Sequence, residues 1–337
     1  ELRDIPGCTV LIYEQACATE KRRRRKRGLM EDPNRFAYIN DLVCEGCGDC
    51  SIASNCLSVE PKETPFGRKR QINLNSCNKD FSCLDGFCPS FVTVEGATRR
   101  KGKGTAPEDI LTEKGASLTA PILPQMGDSY NLLVTGVGGT GVVTLGHLIT
   151  MAAHLEGKGG TVLDFMGFAQ KGGPVLSYIR LGATPSAVNQ VRIENGQADA
   201  LIGCDLVVST SPKASATYRV GATRAVVNTT EMPTGDFTRN RDADFETDAR
   251  LAALARVLGA ENLKPLAANK TAETLLGDTV FANVLTLGYA WQMGLVPVGL
   301  EALMRAIELN GVAVEANNQA FTWGRIACSE PGYVARL

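Results

Sequence analysis

The chain carries Cys44-x2-Cys47-x2-Cys50-x5-Cys56 and then Cys77-x5-Cys83-x4-Cys88-Pro89, so seven of its eleven cysteines fall within residues 44–88. Soft thiolates at this spacing suit a cluster of iron and inorganic sulfide. A C-x2-C-x2-C loop supplies three corners, and a distant Cys followed by Pro supplies the fourth. The chemistry implied is one-electron transfer.

In two-cluster arrangements each half of the domain gives three ligands to one cluster and one to the other. Applied here, Cys44, Cys47, Cys50 and Cys88 hold a 4Fe-4S cluster, while Cys56 crosses over to join Cys77 and Cys83. The second half departs from the pattern, because Cys77-x2-Asp80-x2-Cys83 places Asp80 where a middle cysteine belongs and one extra residue precedes Cys88. The second cluster is then a 4Fe-4S cluster with a carboxylate or water on one iron, or a 3Fe-4S cluster lacking that corner. A zinc ribbon is the competing reading, since paired cysteines also suit Zn²⁺. A triplet with a Cys-Pro and no histidine in this stretch fits it poorly. A disulfide scaffold fits less well, because no secretory signal peptide is evident and the cysteines are confined to one region.

A second constellation is Gly136-x-Gly138-Gly139-x-Gly141, which follows an apolar run and precedes a helical one. Backbone N–H groups in such a turn can cradle a phosphate at the positive end of a helix dipole. Asp164 lies at the end of the next expected strand, where an acid could bind a ribose hydroxyl in a dinucleotide site. The alternative is a turn needed only for close helix–sheet packing. A further segment, Gly167-Phe-Ala-Gln170-Lys171-Gly172-Gly173, offers donors from Gln170 and Lys171 to an anionic or carbonyl group. Both segments fall on loops after strands, at the carboxyl edge where ligands gather in open α/β sheets. The two histidines, His147 and His154, read as packing or surface residues. Cys8, Cys17, Cys204 and Cys328 read as buried structural thiols.

The elements that must position these residues follow from periodicity. A chain of 337 residues implies two or three domains at roughly 100–200 residues each. A net charge of −1 with 44% hydrophobic residues implies a globular protein without general affinity for nucleic acid, and no uncharged apolar run suffices to span a bilayer. Residues 8–13 are expected to form a buried strand. The run Glu20 to Arg27 reads as a solvated or partner-docking face more readily than as a nucleic-acid contact. Residues 36–98 form the cysteine unit, with Glu63 to Arg70 as a hairpin or loop whose basic tip meets an acidic partner. Residues 99–128, with their Gly, Lys and Pro content, read as a linker. From residue 130 strands alternate with helices: strands at 132–135, 161–164, 175–180, 206–209 and 225–227, and helices from Val142 to Leu155 and at about 197–203, 212–219, 245–258, 271–294 and 299–327. The fold class expected is α/β: a small iron–sulfur domain followed by a mainly parallel, Rossmann-like sheet with a helical C-terminal end.

Cys44-Glu-Gly-Cys-Gly-Asp-Cys50, Gly67-Arg-Lys-Arg70, Cys77-Asn-Lys-Asp-Phe-Ser-Cys83 and Gly86-Phe-Cys-Pro-Ser-Phe-Val-Thr-Val-Glu-Gly96 resemble the ferredoxin-like region of indolepyruvate ferredoxin oxidoreductases in their long fused bacterial form. The segments 136–141 and 167–173 are similar to those of the gamma domain of 2-oxoacid:ferredoxin oxidoreductases, and residues 1–32 resemble the tail of a thiamine-diphosphate-binding domain. The resemblance implies oxidative decarboxylation of aryl 2-oxo acids with thiamine diphosphate and magnesium, coenzyme A as substrate and ferredoxin as electron acceptor. It implies a gamma domain over 130–337 with coenzyme A near the Gly136–Gly141 turn, a homo-oligomer, and a chain that needs the remaining thiamine-diphosphate domains for turnover; thiolate clusters and the missing signal favour the cytoplasm. Two other classes stand beside it: an NAD(P)- or flavin-linked iron–sulfur oxidoreductase, and a metal-containing module that binds nucleic acid through its basic run.

Overall fold

The structure, a computed structural model, describes residues 2–98, 108–127, 129–167, 173–232, 237, 240 and 242–337. It divides into two compact units, Glu1–Thr98 and Arg99–Leu337.

The first unit is built on two antiparallel pairs. Strand β1 (Arg35–Ile39) pairs with β4 (Phe91–Glu95), with Arg35 opposite Glu95 and Ile39 opposite Phe91. Strand β2 (Val59–Thr64) and β3 (Gly67–Ile72) form a hairpin with Val59 opposite Ile72. A short helix, Asp49–Ser54, lies between β1 and β2, and a 3₁₀ turn, Ser82–Leu84, lies between β3 and β4. The order is thus strand, helix, strand, given twice. The buried core is small, a cluster of Ile39, Cys44 and Val59 with Cys50, Cys56, Ile72, Cys83 and Phe91 packed against it, and Ala37 buried besides. Thiols therefore occupy much of the space that aliphatic side chains fill in a larger core. The run 8–13 is not the strand expected. Val10, Leu11, Ile12 and Tyr13 are exposed, and β-branched content alone does not make a strand without a pairing edge. The basic run does lie on a helix, Ala18–Lys26.

The second unit begins inside the stretch expected to be a linker. Glu108–Ser117 is a helix, and Leu111, Leu118, Leu123 and Met126 pack against the main core. Lys114 is paired with Glu330 at 2.7 Å. The Gly- and Pro-bearing composition of 99–128 hides this anchor.

Six strands form the sheet of the second unit: β5 (Tyr130–Val137), β6 (Gly159–Met166), β7 (Pro174–Gly182), β8 (Ala200–Gly203), β9 (Arg224–Asn228) and β10 (Leu263–Leu266). Their spatial order is β10-β9-β8-β5-β7-β6. The run from β10 to β5 is parallel, whereas β7 lies antiparallel to both β5 and β6. Every residue of β5 is buried, as a central strand covered on both faces requires. The helices Val142–Leu155, Ala282–Gln292, Leu300–Asn310 and Val314–Ser329 contribute to the core on one face. Leu206, Val208, Leu254 and Leu258 fill the other.

Two expected elements exchange places. Residues 200–203 are strand β8 rather than helix, and Leu206–Ser209 is a short helix rather than a strand. Asp205 caps that helix by accepting a hydrogen bond from the Val208 N–H at 2.8 Å, which is what turns the chain after β8. The long helices expected at 271–294 and 299–327 are each two. They break at Gly277 (φ 75°) and Gly311 (φ 69°), which take the left-handed conformation that ends a helix.

Candidate metal centre

The two cysteine loops follow the same backbone path. In the first, Cys44 is followed by Gly46 and Gly48, both at positive φ (74° and 83°), and the chain then enters the helix that carries Cys50. In the second, Cys77 is followed by Lys79 and Phe81 at φ 52° and 62°, and the chain then enters the 3₁₀ turn that carries Cys83. Left-handed conformations at Lys79 and Phe81 are costly for residues with a Cβ, so the path is imposed by the surrounding fold. The N–H of Gly46 donates to Cys44 Sγ at 3.4 Å, and the N–H of Lys79 donates to Cys77 Sγ at the same distance. Counted from Cys77 as Cys47 is from Cys44, Asp80 takes the position of Cys47. Its carboxylate accepts from the Ser82 N–H at 3.1 Å and from Ser82 Oγ at 2.8 Å.

Other contacts hold the loops on their strands. A Cβ on Gly46 would run into the carbonyl oxygen of Arg68 on β3, so only glycine lets the first loop lie this close. Lys79 donates to Asp32 at 2.7 Å and to the Pro33 carbonyl at 2.9 Å, with its ammonium 4.0 Å from the Phe36 ring centre. Two arginines of the basic run dock on the second loop, Arg22 on the Asn75 carbonyl and Arg25 on the Asn78 carbonyl, the latter at 2.8 Å. That part of the run is a fastening within the chain.

Cys44, Cys47, Cys50 and Cys88, with Cys83 among the neighbours, line one cavity of about 700 Å³ together with Arg70. Burial pushes the Cys50 thiol up, Arg70 opposes this, and Cys47 and Cys44 add to it. Burial pushes Cys83 up to about 12, with the charges of Cys56, Cys77 and Asp80 adding to it. Cys56 lies near enough to Cys83 to act on its charge, while Cys88 lines the cavity of the first loop, as Cys83 does. No three of the described Cys, His, Asp or Glu side chains converge on a single ion. A cluster distributes its thiolates over separate irons rather than gathering them on one, and a donor set of soft sulfurs around an open cavity fits such a group.

The remaining cysteines divide. Cys204 is buried and its thiol is pushed up by burial. Cys328 is half-buried, with its thiol pushed up to about 11 by burial. Cys8 and Cys17 are exposed, contrary to the structural role expected of them. The backbone N–H groups of Glu20 and Thr19 at a helix start hold Cys17 below the ordinary thiol range.

In the second unit the glycine turn joins β5 to the Val142–Leu155 helix as expected. Gly139 and Gly141 have φ 85° and 99°. Gly136 lies where a Cβ would stand 2.5 Å from Val142 Cγ2 and 3.1 Å from Cys204 Cβ, so it allows helix and strand to close up. The Gly138 N–H donates to the Gly173 carbonyl at 2.7 Å, and Asn283 Nδ2 donates to the Thr140 carbonyl at 2.9 Å. Gln170 and Lys171 lie outside the described residues. Asp164 is not placed as a dinucleotide site requires: β7 is inserted between β5 and β6, and the Asp164 carboxylate accepts from Ser177 Oγ and lies 3.5 Å from His147 Nε2. His147, read from sequence as a packing or surface residue, is thereby the partner of this acid.

A family model described as pyruvate ferredoxin/flavodoxin oxidoreductase matches residues 131–327, and the chain belongs to that family of oxidoreductases. Subunit IorB of indolepyruvate oxidoreductase from Pyrococcus horikoshii is 28% identical over 207 residues, covering 60% of this chain and 96% of its own length. The subunit of the same name from Archaeoglobus fulgidus is 26% identical over 199 residues, covering 58% and 92%. Among solved structures, the gamma subunit of keto/oxoacid ferredoxin oxidoreductase from Geobacter sulfurreducens aligns over 59% of this chain and 98% of its own, at 22% identity and a TM-score of 0.42. The family match lies wholly within the second unit. No helix among the described residues is long and apolar enough to cross a membrane.

Proposed function

We propose that this chain is the electron-relay and gamma portion of an indolepyruvate, or aryl 2-oxo acid, ferredoxin oxidoreductase. The observation that carries the reading is the repeated backbone path of the two cysteine loops, which sets Cys44 and Cys50 in the same stations as Cys77 and Cys83. Cys44, Cys47, Cys50 and Cys88 hold a 4Fe-4S cluster. Cys56, Cys77 and Cys83 hold a second, with Asp80 at the fourth corner or that corner vacant. When bound, the clusters supply one-electron carriers that take electrons from 2-oxo acid oxidation to ferredoxin. The chain's own part is to fix the thiolates, to donate the Gly46 and Lys79 N–H groups to sulfur, and to keep the first site in a pocket closed on one side by β3. Amide donors to sulfur and burial are the levers a protein has on cluster potential.

The Gly136–Gly141 turn, with Gln170 and Lys171 beyond β6, receives coenzyme A, its phosphates at the start of the Val142–Leu155 helix. Thiamine diphosphate and magnesium belong to further domains of the same enzyme, and the 1–32 segment is the end of one. Reduced thiolates suit a reducing compartment, and the reading takes the enzyme to be cytoplasmic. Anaerobic protein reduced with dithionite should give the electron paramagnetic resonance signal of a reduced cluster and pass electrons to added ferredoxin. A silent protein that transfers none would overturn the reading. Coenzyme A binding without NAD(P)H or flavin binding separates it from a dinucleotide-linked oxidoreductase.

A further inference from the structure

Arg70 is 1% exposed. It belongs to the segment that the sequence presents as a basic hairpin tip, yet it sits on β3 well back from the turn, opposite Pro61 of β2. Strand alternation puts Arg68, Arg70 and Ile72 on one face, and Ile72 packs against the small core. The Arg70 side chain lines the cavity shared by Cys44, Cys47, Cys50 and Cys88. Among the described residues lining that cavity it is the one basic side chain, and Glu45, Asp49 and Asp85 are the acidic ones. Arg70 Nη1 donates to the Lys69 carbonyl at 3.4 Å, and a guanidinium held out of water acts on charges beside it with little solvent screening. The close approach of Gly46 to the Arg68 carbonyl ties the first cysteine loop to this strand, so the charge and the thiols share one rigid frame.

We infer that Arg70 is a positioning residue whose buried positive charge raises the reduction potential of the cluster held by Cys44, Cys47, Cys50 and Cys88. The inference rests on the iron–sulfur reading above. Reduction adds one electron to a group already made negative by its thiolates, and a fixed positive charge beside it favours the reduced form. Removing that charge makes the cluster harder to reduce.

The test is a redox titration of the anaerobic full-length chain, followed by electron paramagnetic resonance, in wild type, Arg70→Gln, Arg70→Lys and Lys69→Gln. Arg70→Gln is expected to shift the potential negative by at least tenfold in the one-electron equilibrium constant, about 59 mV. Arg70→Lys and Lys69→Gln should stay within a third of that shift. If Arg70→Gln does not load iron, Arg70→Met, which fills the same slot without charge, carries the comparison. Loss of iron from both neutral variants, with circular dichroism unchanged and iron kept in Arg70→Lys, also supports the inference. Three results overturn it: an unmoved potential in an iron-loaded neutral variant, equal shifts in Arg70→Gln and Lys69→Gln, or the same loss in Arg70→Lys as in Arg70→Gln. Wild-type protein without iron would instead sink the reading on which the inference stands.

Discussion

Among single residues, some side chains would belong to the proposed metal centre and others only share its chemistry. Cys47→Ala should remove one corner of the first cluster and lower iron per chain by about half. Cys204→Ala, at a buried thiol in the other unit, should leave iron and sulfide counts unchanged. Replacing Asp80 by Cys gives the second loop the full set of thiolates its backbone path already accommodates, so any three-iron resonance should convert to a four-iron one. An unchanged spectrum would remove Asp80 from the site. The proposed ligand stations come from the sequence, because spacing limits which thiols a short loop can bring together. Arg70 was not legible there. In a run of Arg, Lys and Arg all three look solvated, and only the pairing of β3 with β2, with Ile72 turned inward, shows that every second residue faces the core. The pairing of His147 with Asp164 was hidden for a similar reason, since it depends on the position of β6 at the sheet edge.

At the scale of elements, glycines decide how closely helices and strands approach. The helices Ala282–Gln292 and Val314–Ser329 meet at Gly288 and Gly324, where an added Cβ would run into the Phe321 and Leu285 carbonyls. Gly324→Ala should therefore cost about 3 kcal/mol or more, measured by urea unfolding, because backbone cannot give way as a side chain tip can. Gly136→Ala meets side chains rather than backbone and should cost less, about 1–3 kcal/mol. The glycine turn itself was legible from its place between an apolar strand and an amphipathic helix. The exchange of strand and helix across 197–209 was not, because Ala200-Leu-Ile-Gly and Leu206-Val-Val-Ser are both four-residue apolar runs without a readable period. The usable signal was Asp205, a capping residue directly before the second run. Likewise the antiparallel insertion of β7 between β5 and β6 leaves no trace in local pattern, and it is what takes Asp164 away from the place a dinucleotide needs.

At the scale of the whole molecule, the two units have different sources of stability. The second has an extensive apolar core on each face of its sheet. Among its described residues the first has a cluster of only three buried hydrophobic residues, one of them Cys44, with Ala37 buried beside them, so the proposed clusters would supply much of its folding energy. Chelation of iron under reducing conditions should abolish hydrogen-exchange protection in β1 to β4 while leaving β5 and the Val142–Leu155 helix protected. Uniform loss across both units would contradict this division. The most direct measurement is a count of iron, acid-labile sulfide and zinc in the anaerobically purified full-length chain. A brown protein with about seven or eight irons, matching sulfide and no stoichiometric zinc is expected. Colourless protein carrying zinc in their place would contradict the iron–sulfur reading.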